Sequence, residues 1–355
     1  DHPPMVAFLI ALTTRIGGNS EFFVRLAAVL PLLGFFIVAY FLGRDIFQSE
    51  KTGFYSVVWL NVILLFSLGS VVITPDSPMM FFCALTLYFL YHAIFGGKPV
   101  FWYCAGGSLG SALLSKYVGI LLVPCIWLFL LFSRNHKHYL KRQEPYLALA
   151  IALAVFSPVI FWNLENDWIS FKFQWEHGFN GKPVNPLLSS LEYLGTQILV
   201  VNPFVFAAIA VAMVYCYKFW VMEKNDRLLF LLASSVPVFL FFLLVSYKSK
   251  VEGNWPAIAY FPATLAMTGL YFTRGGFEKT SAVRFLNLVK KSAVFAGGAL
   301  VILLHLQFAY DFMPRAVKTD RFSRVAHGWE LLGQYVANFV HDPVMNPNGV
   351  FVFAE

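Results

Sequence analysis

Charge is what this sequence has least of. Only 13% of its 355 residues are Asp, Glu, Lys or Arg, while 59% are hydrophobic and 18% aromatic. A soluble domain carries about 25% charged and 45–50% apolar residues, so a single buried core does not absorb this excess. The apolar surface calls for an apolar solvent, which is a bilayer. Cysteine is scarce as well. Cys83, Cys104, Cys125 and Cys216 all lie inside apolar runs, without metal-ligand spacing or the makings of a disulfide framework. There is no G-x-x-x-x-G-K-S/T phosphate loop, no G-x-G-x-x-G after a strand, no H-E-x-x-H and no Cys/His cluster. Nothing therefore points to a nucleotide-binding enzyme. An activated small molecule, if used, arrives through the membrane on a lipid.

What is present is a series of long apolar runs. A membrane span takes roughly 20 apolar residues. Spans are predicted at 22–43, 52–72, 79–95, 100–115, 118–132, 145–162, 191–217, 228–246, 255–273 and 292–310. The pair 100–115 and 118–132 is short and separated only by Lys116-Tyr117. Segment 3–18 is apolar on one face and reads as a helix lying at the interface. Arg25, near the start of the first span, is placed to snorkel. There is no internal repeat of the kind that inverted-repeat transporters show.

The net charge of +7 is distributed as a topology signal rather than as a nucleic-acid face. Loops 43–51, 96–99, 133–144, 218–227 and 274–291 hold 15 of the 26 Lys and Arg but 6 of the 19 acids. By the positive-inside rule these loops are cytoplasmic. Segments 1–21, 73–78, 163–190, 247–254 and 311–355 then face outward. The last 45 residues regain charge, Gly and Pro. Arg321 to Gly333 reads as a loop and an amphipathic helix, Asn346 to Gly349 as a turn and Val350 to Phe353 as a strand. The expected architecture is an all-α polytopic domain over 1–310 with about ten spans, followed over 311–355 by part of a small extracytoplasmic α/β domain. The chain begins at Asp1 and ends in mid-pattern, so it is expected to be a stretch of a longer protein, without that protein's N-terminal helix.

Ionisable groups near membrane depth cost several kcal/mol, so the few present stand out. Asp76 lies in Thr74-Pro75-Asp76-Ser77-Pro78, pinned between prolines at the outward edge. It serves either as a helix N-cap or as a site acid. Asp1 and His2 precede Pro3-Pro4 in the same manner. Lys116 is either a snorkelling residue or a charge facing a cavity. Loop 246–256 gathers Lys248, Lys250, Glu252, Asn254 and Trp255 at a helix entrance. Lys suits phosphate, and Trp255 also suits an aromatic belt. The stretch from Trp162 to Ser190, with His177 among its aromatics, suits carbohydrate or a plain interfacial loop.

These pieces, in order, resemble a known family. Asp1-His2-Pro3-Pro4-Met5, Thr74 to Pro78, Leu113-Leu114-Ser115-Lys116-Tyr117, Phe161 to Trp168 running on to Phe173–Phe179, and Glu252-Gly253-Asn254-Trp255-Pro256-Ala257 carry the likeness. The chain resembles the bacterial branch of the protein O-mannosyltransferase superfamily, family-39-like glycosyltransferases of GT-C fold. Within it, the chain is similar to the lipid A aminoarabinose transferases.

The resemblance implies an inverting transferase that takes its sugar from a polyprenyl phosphate on the outer side of the inner membrane. The acceptor is a lipid, glycan or protein, and no nucleic acid is involved. It implies Asp1 and Asp76 as catalytic acids. His2, Lys116, Tyr117, His177, Lys248, Lys250, Glu252, Asn254 and Trp255 would hold donor phosphate or substrate. No metal ligand set is implied, and a divalent metal remains open. The family's general base usually lies upstream of the Asp-His-Pro-Pro motif, and this chain starts at that motif. A transporter or flippase of lipid-linked sugars, and a non-catalytic envelope scaffold, are the alternative readings.

Overall fold

The computed structural model describes residues 2–69, 72–179, 185–273 and 281–310, together with single helical positions at Gln334, Val336 and Asn338. The α/β domain expected over 311–355 lies, apart from those three positions, outside the described residues. Two compact units divide the chain, residues 1–298 and 299–355. The first contains every residue of the candidate site.

Every regular element among the described residues is helical. Long apolar stretches allow no other solution in a bilayer, because a helix satisfies its own backbone hydrogen bonds. The helices are α1 (Met5–Gly17), α2 (Glu21–Phe47), α3 (Glu50–Val62), α4 (Leu64–Leu68), α5 (Asp76–Ile94), α6 (Val100–Ser115) and α7 (Leu122–Phe132). They continue with α8 (Glu144–Glu165), α9 (Ile169–Phe179), α10 (Pro186–Val201), α11 (Pro203–Glu223) and α12 (Asp226–Ala233). Last come α13 (Val236–Ser246), α14 (Ala257–Thr273) and α15 (Ser281–Tyr310). Five stretches are long and apolar enough to cross a membrane: α2, α5, α8, α11 and the run Asp226–Ser246 through α12 and α13. The chain is a multi-pass membrane protein. The spans expected from hydropathy, about ten in number, are not all single helices.

The breaks have local causes. The run 52–72 divides at Ile63, which is extended at φ −75°, ψ 114°. The run 191–217 divides at Asn202, whose φ of 84° suits Asn better than a branched residue. Asn202 then caps α11, its side chain accepting from Phe204 N, with Pro203 in the first turn. Asn185-Pro186 opens α10 in the same way. The run 228–246 pauses at Ser234-Ser235, both of whose hydroxyls donate to carbonyls four residues back. The outward stretch 163–190, read as a loop, contains the end of α8 and all of α9.

The close approach of α6 and α8 fixes the helix whose end presents Lys116. Small residues let membrane helices come together. A Cβ on Gly106 would stand 2.3 Å from Ala148 O, and one on Gly110 would stand 2.7 Å from Ala152 O. Thr86 Oγ1 of α5 donates to Ser108 Oγ of α6 at 3.0 Å. Helix α14 is the centre of the bundle, with every residue from Ala257 to Leu270 buried.

Three of the loops expected to be cytoplasmic, 43–51, 133–144 and 218–227, meet among the described residues. Asp226 accepts from Ser133 Oγ at 2.8 Å and from Asn135 Nδ2 at 3.1 Å, and lies 3.2 Å from His136 Nδ1. Arg227 donates to Ile46 O, and Tyr139 donates to Ala93 O. Burial pushes the His136 imidazole below its ordinary value, against the opposing pull of Asp226.

Candidate active site

Asp76 stands at the first position of α5, after Pro75, where the helix dipole favours an acid. It is not the N-cap: Pro75 holds that position, and no side-chain cap bond forms there. Its carboxylate instead turns to two other segments. Lys116 Nζ donates to Oδ1 at 2.8 Å, and Asn254 Nδ2 donates to Oδ2 at 2.8 Å. Both oxygens of one carboxylate are thus held, one by a charge and one by an amide.

Lys116 reaches Asp76 because α6 stops there. The lysine is extended at φ −158°, ψ 135°, and a 3-10 turn, Tyr117–Leu121, follows. Only 7% of the residue is exposed. This decides between the two readings of Lys116, since a snorkelling lysine keeps its ammonium in water. Next to it, Tyr117 Oη hydrogen-bonds Ser170 Oγ at 2.6 Å, and its ring lies 5.2 Å from that of Phe171. The turn after α6 is thereby tied to α9.

Asn254 is presented by the turn that leads into α14. Trp255 N donates to Glu252 O and Ala257 N donates to Asn254 O, closing the turn. The loop before it is anchored by Ser249 Oγ donating to Gly178 O at 2.6 Å.

These segments surround a cavity of about 450 Å³. Of the residues singled out in the sequence, His2, Asp76, Lys116, Tyr117, Glu252, Asn254 and Trp255 line it. Lys248 and Lys250 belong to the same loop but are exposed and do not line it. Asp1 and the side chain of His177 lie outside the described residues. The Glu252 carboxylate makes no hydrogen bond or ion pair among the described residues.

Sequence reading missed Phe173 and Gln174 of α9 and Phe241, Phe242 and Val245 of α13, which complete the wall. The α9 residues sat inside a motif already quoted. Those of α13 lie in an apolar run, where nothing distinguishes a cavity-facing side chain from a lipid-facing one. Among the described residues no group of three or more His, Cys, Asp or Glu is placed to hold a metal. The arrangement offers a preformed ion pair, a further carboxylate, an imidazole and aromatic faces around one hollow. That set can grip an anionic group and accept a proton.

Known proteins share both sequence and fold with this chain. Residues 1–162 match the family described as dolichyl-phosphate-mannose-protein mannosyltransferase. The lipid A galacturonosyltransferase RgtD of Rhizobium johnstonii is 26% identical over 274 residues, covering 77% of this chain and 56% of that protein. The crystal structure of ArnT from Cupriavidus metallidurans bound to undecaprenyl phosphate superposes with a TM-score of 0.66 at 16% identity. That match covers 95% of this chain and 62% of ArnT. The archaeal oligosaccharyltransferase AglB from Archaeoglobus fulgidus matches with a TM-score of 0.56 at 13% identity, over 84% of this chain and 47% of that one. The chain spans a little over half the length of the curated relative RgtD. It has the fold of ArnT and, over its first 162 residues, is similar to the dolichyl-phosphate-mannose-protein mannosyltransferase family.

Proposed function

We propose that this chain is the membrane-embedded part of an inverting glycosyltransferase, which moves a sugar from a polyprenyl-phosphate donor to an envelope acceptor. The acceptor is a glycolipid of the lipid A kind, a polymer or a protein. The observation that carries the reading is the Asp76–Lys116–Asn254 group, set in one cavity with His2, Tyr117, Glu252 and Trp255. The chain's likeness to ArnT, solved with undecaprenyl phosphate, supports the lipid-linked donor, and its likeness to RgtD supports an acceptor of the lipid A kind.

In this reading the acceptor oxygen attacks the anomeric carbon, and the bond from that carbon to the phosphate oxygen breaks. The electron pair leaves with the lipid phosphate, and a carboxylate takes the acceptor's proton. A general base of this kind contributes about 10²–10⁴-fold. Asp1 and Asp76 are the catalytic acids. Lys116, held in place before substrate arrives, meets the charge that develops on the phosphate without reorganising. His2 and Tyr117, which line the same cavity, hold the donor phosphate with it, and Glu252, Asn254 and Trp255 bind substrate. Lys248, Lys250 and His177 are assigned to the donor phosphate or substrate as well.

The same reading places the protein in the bacterial inner membrane with the cavity facing the periplasm. The basic loops around Asp226 are then cytoplasmic. About ten crossings result when broken helices such as α3–α4 and α12–α13 count as one each. Residues 1–310 are the transferase domain.

The test is transfer by the full-length protein in liposomes carrying a polyprenyl-phosphate sugar, with mass spectrometry of envelope glycolipids and glycoproteins from cells with and without the gene. A sugar-bearing product that disappears with the gene and with Asp76→Asn is expected. Identical envelopes in both strains, with no transfer in liposomes, would sink the proposal.

A further inference from the structure

Asn254 reaches Asp76 while the backbone beside it is held from behind. Gly253 presents its carbonyl to Gln197 Nε2 of α10 at 3.3 Å. The other amide atom of Gln197, Oε1, accepts from Tyr260 Oη of α14 at 2.9 Å. Gln197 is 1% exposed and Tyr260 fully buried. The Tyr260 ring meets Phe239 edge-on, with centroids 4.7 Å apart. Behind the pair lies a second cavity of about 210 Å³, walled largely by apolar residues such as Leu194, Ile209, Met213 and Leu243. In such surroundings an unmade hydrogen bond is costly, so the pair has one favoured arrangement.

The loop also lies directly against α10. A Cβ on Gly253 would stand 2.9 Å from Thr196 Cγ2 and 3.3 Å from Val200 Cγ2. Neither Gln197 nor Tyr260 lines the candidate active site. Their hydrogen bonds reach it through the Gly253 carbonyl and its neighbour Asn254.

We infer that the buried Tyr260–Gln197 pair is a positioning device that fixes the 252–255 turn, so that Asn254 orients the Asp76 carboxylate towards Lys116. The inference rests on the transferase reading above. The contacts run from Tyr260 to Gln197, to the Gly253 carbonyl, through Asn254 to Asp76 and so to Lys116. Glu252 and Trp255, which line the cavity from the same turn, are held with it. Asp76 is therefore oriented from two sides, by the end of α6 and by the entrance to α14. Neither Gln197 nor Tyr260 touches the substrate in this scheme.

Gln197→Leu and Tyr260→Phe in the full-length protein test the inference by two measurements. One is transfer kinetics in liposomes with a polyprenyl-phosphate sugar. The other is hydrogen–deuterium exchange along 247–256. A misplacement of about 1 Å costs up to about 10²-fold in rate. The expected result is a fall in kcat of that order for Gln197→Leu and a smaller fall for Tyr260→Phe. Exchange should rise in 250–256 while α5 and α14 exchange as in the unsubstituted protein. Unchanged exchange in 250–256 overturns the inference. So does an unchanged kcat, or a bundle-wide rise in exchange that marks ordinary destabilisation. If the unsubstituted full-length protein transfers no sugar, the transferase reading falls, and the exchange measurement alone decides the positioning role.

Discussion

Lys116 and Asp76 meet at 2.8 Å although 40 residues separate them. The side chains are 8% and 17% exposed, so the pair is largely withdrawn from water. Breaking a buried pair by removing one partner costs about 3–5 kcal/mol, because the other charge is left uncompensated. Asp76→Asn and Lys116→Met are each expected to lower stability, Asp76→Asn by about 3 kcal/mol. The double substitution should recover most of that loss but none of the transfer activity. Thermal unfolding in detergent and a transfer assay separate the two effects. Wild-type transfer by the Asp76→Asn protein removes Asp76 from the mechanism.

Asn254→Asp tests the other side of the carboxylate. It exchanges a donated hydrogen bond of 2.8 Å for a second negative charge facing Asp76 Oδ2. Like charges at that distance do not both ionise comfortably. Transfer is expected to fall by about 10²-fold or more, as for other losses of a charge-orienting donor. Asn254→Gln, which keeps the amide, should fall less. Equal activity in the two variants would show that the contact is incidental.

The α6–α8 contact carries a stability prediction with a built-in control. Gly106 and Gly110 face α8 with no room for a side chain, whereas a Cβ on Gly107 meets nothing within 4 Å. Gly106→Val is expected to destabilise the bundle by roughly 1–3 kcal/mol, the usual penalty for overpacking. It should also disturb transfer, since Lys116 sits at the end of the same helix. Gly107→Ala is expected to be neutral or slightly stabilising. A melting series in detergent checks both, and equal melting points for the two variants would contradict the packing described.

A pH effect is expected at the opposite end of the molecule. Burial lowers the His136 pKa in the folded state, so below the ordinary histidine value of about 6.5 the unfolded chain binds the proton more readily. This contribution to stability is therefore undiminished above about pH 6.5 and declines as the pH falls below it. His136→Gln should flatten the decline in melting temperature between about pH 7 and 5. A parallel decline in the substituted protein would assign the effect to other groups.

Much of this protein was legible in the sequence because the governing physics is local. An apolar excess with few charges specifies a bilayer, since hydropathy adds up residue by residue. Of the loops that the Lys and Arg bias grouped, 43–51, 133–144 and 218–227 meet around Asp226 and Arg227. The Asn-Pro pairs at 185–186 and 202–203 carry their caps within three residues, a local signal that the hydropathy runs hid. Pro75-Asp76 marked a rigid acid at a helix start. Where the runs pause was less legible: Ile63, Asn202 and Ser234-Ser235 interrupt stretches whose average hydropathy stays high.

The tertiary structure alone decided which polar groups share a hollow. Lys116 reads the same in sequence whether it snorkels or faces a cavity, and only the extended end of α6 turns it to Asp76. Asn254 is 178 residues from Asp76, and no periodicity links them. Gln197 and Tyr260 look like ordinary members of apolar helices. The physical reason is that hydropathy, caps and turns act over a few neighbouring residues. Convergence of loops depends instead on how whole helices pack, and at α6 and α8 that rests on two glycines fitting against two backbone carbonyls.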